Sequence, residues 1–153
     1  MKKPLNAYAI IRGGAAYPNI RGVARFVRVY DGTMAEIYAE GLPEFSRGDT
    51  DVGPHACRIG DEGWGGSEPP LGADTDYDLE SQPAGNRAGD LPALFSDGGR
   101  AHMSFYTGKF RPEELVGKTV SIHIAPDDYR GGTAAGAVIA GGEVTAMNRW
   151  GQR

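Results

Sequence analysis

The chain has 153 residues, 40% of them apolar, which is enough to bury one core and too apolar for a disordered chain. Its 24 glycines and 10 prolines follow neither a collagen period nor a low-complexity repeat, so they read as punctuation between many short strands. A net charge of −4 with scattered Lys and Arg argues against nucleic acid and anionic membrane surfaces as partners, and no apolar run approaches the ~18–20 residues of a membrane span.

Met1 to Asn6 carries two lysines but no apolar run behind them, so no secretory signal is expected, and secretion would require one removed upstream. Ala7 to Ile11 is a short apolar run ending at Arg12-Gly13-Gly14. Val23 to Tyr30 is rich in β-branched and aromatic residues and closes at Asp31-Gly32, a hairpin signal. Thr33 to Glu40 alternates, with Ala35, Ile37 and Ala39 on one face and Glu36 and Glu40 on the other. From Gly41 to Asp90 the composition shifts to Gly, Pro, Asp and Ser, and only Gly53 to Ile59 suggests a strand; so long a loop in a compact domain points to function.

Strand pattern returns at Ala101 to Tyr106. Pro112 to Leu115 reads as one helical turn. Lys118 to Ile124 puts Val120, Ile122 and Ile124 on one face and Thr119, Ser121 and His123 on the other. A last strand covers Ala137 to Ile139 and Glu143 to Met147. With no repeat and no linker, the expectation is one all-β domain over residues 1–153, its core at about 7–147. A single cysteine, Cys57, cannot form an internal disulfide, which points to a reducing, cytoplasmic setting.

Several phrases, in order, resemble those of the copper/zinc superoxide dismutases: Gly22 to Phe26, Gly41-Leu42-Pro43, Gly53-Pro54-His55, Ala88 to Pro92, Gly117 to Val120, His123 with Pro126-Asp127-Asp128, and Ile139 to Val144. The resemblance covers about Ala7 to Val144 and implies a Greek-key β-barrel or sandwich of about eight antiparallel strands with long loops. It also implies a possible homodimer, as in many family members, or an unidentified protein partner.

The same resemblance implies a rewritten metal site. The family's copper-binding His-x-His corresponds to His55-Ala56-Cys57, so His55 is kept and Cys57 replaces the second histidine. The bridging histidine falls at Asp76, two zinc-binding histidines at Ala84 and Arg87, and the zinc-binding aspartate at Asp90. The last copper histidine is His123. Structural zinc needs about four donors, so zinc is not expected. Two imidazoles, the Cys57 thiolate and Asp76 make a donor set for at most one copper ion.

The position of the family's superoxide-attracting arginine is Val138, and its disulfide cysteines fall near Glu62 and at Gly141. The expected function is therefore a dismutase-like barrel without ordinary dismutase activity, serving as scaffold or binding module. The alternative is a copper protein with residual redox chemistry at His55, Cys57 and His123. The bland reading of these three is packing with no metal at all. Asp76 and Asp90 read equally as turn residues, and Asp90 as an ion-pair partner of Arg87. His102 reads as a surface or turn residue, Trp64 as either a partner anchor or a cover for the barrel end, and the tail Asn148 to Arg153 as a frayed terminus unless it docks.

Overall fold

Residues 6–43, 52–60, 89, 91–124 and 138–147 are described in a computed structural model of the chain. Among them lie nine strands, β1 Asn6–Gly13, β2 Arg21–Val29, β3 Gly32–Glu40, β4 Val52–His55, β5 Cys57–Gly60, β6 Leu94–Asp97, β7 Ala101–Thr107, β8 Thr119–His123 and β9 Val138–Met147, and one helical turn, α1 Pro112–Leu115. Seven strands form one antiparallel sheet in the order β5-β8-β9-β1-β2-β3-β7, and β4 pairs with β6.

The two sheets are joined at both ends. Ala56 alone separates β4 from β5, and Gly98-Gly99 turns β6 into β7. The strip before β6 also runs beside β5: Leu91 N–H donates to the Cys57 carbonyl at 3.2 Å and Ile59 N–H to the Gly89 carbonyl at 2.9 Å. Taking β4–β5 as one bent strand gives an all-β barrel of eight antiparallel strands. Because β3 lies beside β7 and β5 beside β8, its connections are of the Greek-key kind.

Period-2 alternation fills the interior. Ala7, Ala9 and Ile11 of β1 point inward with Ala24 and Phe26 of β2, and Ala35, Ile37 and Ala39 of β3, all essentially inaccessible. Small alanines set against Ile and Phe are what a narrow barrel accommodates. Phe26 meets Phe110 edge to face, with ring centroids 6.4 Å apart. Burying each such side chain stabilises the fold by about 1.5–3 kcal/mol. At α1, Pro112 begins the turn and Arg111 N–H donates to Glu114 Oε1 at 2.8 Å, so a donor that the short helix leaves unsatisfied finds a partner.

Four details differ from the sequence expectations. The first hairpin turns at Tyr30-Asp31 rather than Asp31-Gly32, since Val29 already pairs with Gly32. Tyr30 takes the left-handed φ of 53°, at a cost on the order of 1 kcal/mol. Gly32 is needed inside the strand, where a Cβ would collide with the Thr107 carbonyl and the Tyr106 ring.

Second, β6 is absent from the sequence expectations; four residues are short for a periodic signal, although the Gly98-Gly99 turn behind them marks a hairpin. Third, β9 runs unbroken through Gly141-Gly142, because β1 approaches so closely that a Cβ on Gly142 would meet the Ile10 carbonyl. Fourth, the polar face of β8 is as buried as its apolar face.

Candidate functional site

The residues singled out by the family resemblance meet where the bent strand passes β8. His55 closes β4, Cys57 opens β5, and His123 closes β8. Backbone hydrogen bonding holds them as neighbours, with His123 N–H donating to the Ala56 carbonyl at 2.9 Å. Asp76 and Asp90, like Glu62, Ala84 and Arg87, lie outside the described residues.

His55 is wholly buried, and both its ring nitrogens face backbone carbonyls. Nδ1 lies 3.0 Å from the His123 oxygen and Nε2 3.1 Å from the Pro43 oxygen. A neutral imidazole donates to one of these, an imidazolium to both. In either form the ring braces the segment after β3 against the end of β8, and a metal bond at either nitrogen would displace one of these contacts.

Cys57 faces the apolar core. It pairs with Ile122, and Ile59 with Val120, so all four side chains share the apolar face and belong to one hydrophobic cluster. Burial pushes the thiol up to about 12 from an ordinary 9.0. The thiolate is the metal-binding form, so at neutral pH this sulfur behaves as a small apolar core group.

His123 alternates onto the opposite face with Thr119 and Ser121, where Arg58 pairs across from Ser121; all four are buried. Its Nε2 is 3.5 Å from Ser121 Oγ, whose hydroxyl donates to the Arg58 carbonyl at 3.4 Å. Both contacts are too long for an activated Ser-His pair, and neither group reaches solvent. Val138 pairs directly with His123 and presents no charge there.

The β5–β8 register thus sets Cys57 and His123 on opposite faces, while the His55 ring meets the backbone oxygen of His123 rather than its imidazole. An imidazole and a sulfur on opposite faces of one strand pair, as His123 and Cys57 are, do not converge on one ion, which copper and zinc both require of their donors. Among the described residues no group of three or more His, Cys, Asp or Glu could hold a metal ion. Those residues also contain no helix long and apolar enough to cross a membrane.

His102, read as surface, is exposed, and its Nε2 lies 2.9 Å from Glu36, which also pairs with Arg25. The buried Arg58 and its polar layer are not among the site residues expected from the sequence. The signal was present, since Arg58 lies between two apolar strand positions, Cys57 and Ile59, as His123 follows Ile122. No protein-family model matches the chain, and no curated protein sequence matches it either.

Proposed function

We propose that this protein is a non-catalytic relative of the copper/zinc superoxide dismutases, a cytoplasmic barrel that acts as a binding scaffold rather than through a redox metal. The observation that carries the reading is the orientation of Cys57. The one sulfur that replaces a family copper ligand belongs to the apolar core cluster and points away from His123. The two ring nitrogens of His55, each set against a carbonyl oxygen, support the same reading. No step of dismutation follows from such an arrangement, because superoxide turnover needs a metal that alternates between two oxidation states.

The test is metal stoichiometry and dismutation measured on the same preparation. After incubation with copper and removal of the excess, the protein is expected to retain well under one equivalent and to show no superoxide turnover above buffer. One tightly held copper, with turnover lost in His123→Ala, would overturn the proposal in favour of the copper enzyme. One copper without turnover would make the chain a metal carrier, and Cys57→Ser would then show whether the core repacks to present its sulfur.

A further inference from the structure

The outer faces of β1, β2 and β3, which carry none of His55, Cys57 and His123, line an open groove of about 670 Å³. Ile10, Val23 and Tyr38 stand side by side across its floor in register, and Ile10 is 47% exposed. The connection from β1 to β2 walls one end, with Pro18 at the rim. Backbone hydrogen bonds from Gly13 to Ile20 at 2.9 Å, Tyr17 to Gly14 at 3.0 Å and Ile20 to Tyr17 at 3.2 Å hold this wall. The groove is therefore preformed.

Arg12 and Arg21 line the same groove and sit directly opposite each other in the β1–β2 register. Like charges so placed repel, and the fold gains nothing evident from them. The other outward arginines of β2 are matched, Arg25 to Glu36 and Arg28 to Glu113. Among the described residues, the Arg12 and Arg21 side chains have no hydrogen-bond or ion-pair partner. Glu40 also lines the groove, opposite Arg21, but its Oε1 accepts the Tyr38 hydroxyl at 2.9 Å, and Glu143 shares a neighbouring cleft with Arg12. Neither carboxylate is within ion-pair distance of the two guanidiniums.

We propose that this groove binds a small amphipathic carboxylate, with the apolar body on Ile10, Val23 and Tyr38 and the head group between Arg12 and Arg21. Paired guanidiniums offer planar forks that match a carboxylate, and the exposed apolar floor supplies what a bare anion cannot use. The volume falls in the ~300–1,000 Å³ of small-molecule sites. The inference is independent of the metal question, because it uses strands that hold none of the three candidate ligands.

Decanoate, titrated into the full chain below its micelle concentration, tests the proposal through amide chemical shifts and calorimetry. Saturable shifts are expected at residues 10–23 and 38–40, with affinity at least ten-fold weaker for the double variant Arg12→Gln/Arg21→Gln. Arg25→Gln, one row away, should bind as wild type does. Decanol, which lacks the charge, and acetate, which lacks the tail, should each bind at least ten-fold more weakly than decanoate. The double variant relieves a repulsion, so a thermal midpoint no lower than wild type will show that it is folded. Equal affinity for decanol, undiminished binding by the double variant, shifts confined to other strands, or no saturation would each overturn the proposal.

Discussion

The β1–β2–β3–β7 face and the β4–β5–β8 corner are built from similar strands yet keep different things from water. On the first, alternation puts alanines, Ile11, Phe26 and Ile37 inside and Arg25, Glu36, Met34 and His102 outside, with Thr33 a buried polar exception whose hydroxyl donates to the Phe110 carbonyl at 2.8 Å. At the corner both faces of β8 are buried, and Thr119, Ser121, His123, Arg58 and His55 go under with the apolar residues. Polar groups on an open face cost little, since water satisfies them. Buried ones must each find a partner, and losing that partner costs about 1–3 kcal/mol. The face draws its stability mainly from packing, whereas the corner depends far more on buried hydrogen bonds being kept.

The largest effect expected separates these two sources. Phe26→Ala removes a fully buried ring and its edge-to-face contact with Phe110, so denaturant unfolding should show a loss of about 3–5 kcal/mol. His55→Ala should cost less, about 1–3 kcal/mol, and by another route: the carbonyls of Pro43 and His123 lose the ring that faces them. Hydrogen exchange locates the damage. Phe26→Ala should lower protection across β1, β2 and β3, and His55→Ala chiefly at the ends of β4 and β8. A His55→Ala variant as stable as wild type would mean that the corner is not held by its hydrogen bonds.

How far each region can be read from sequence follows the same division. The hairpin strands were legible because their partners are adjacent in the chain and one face is wet; Ala35, Ile37 and Ala39 against Glu36 and Glu40 state the answer directly. Even there, the turn slipped by one residue, because Gly32 serves a close approach to β7 that lies far along the chain. At the corner, Cys57 and His123 could be named from sequence, but not their relative faces. That depends on Cys57 pairing with Ile122 rather than with a neighbour, a register fixed across 65 residues of chain, and a slip of one would have turned the sulfur towards the histidine. The family resemblance could name candidate donors without showing that they converge.

Cys57 gives the next effect in size. The unfolded thiol ionises near 9.0 and the folded one only at about 12, so between these values the unfolded state has lost a proton that the folded state keeps. Stability should therefore be intact below pH 9 and fall as pH rises through the window, with a slope approaching about 1.4 kcal/mol per pH unit from this group alone. The difference between wild type and Cys57→Ala isolates it from the tyrosines and lysines that titrate nearby. In the same picture the native protein should resist alkylation at neutral pH and take up one equivalent once unfolded. Rapid alkylation of the native state would place the sulfur outside the core and reopen the copper reading.

The smallest effect belongs to the wet face. Glu36 is held below its ordinary value of 4.5, first by the hydrogen bond from Arg25 and then by that from His102. A depressed carboxyl contributes stability above its unfolded value, and that contribution disappears as pH falls through the folded one, so the window lies below pH 4.5. Because the trio is solvated, salt should screen the contribution and thermal midpoints should scarcely register it. The carboxyl's own NMR titration should register it clearly. Arg25→Gln should raise the Glu36 midpoint towards 4.5, and His102→Gln should raise it by less, since Arg25 is the stronger cause. If His102→Gln moved the midpoint more than Arg25→Gln did, the carboxylate would lean on the β3–β7 seam rather than on the β2–β3 hairpin, and the face would be less local than its pattern suggests.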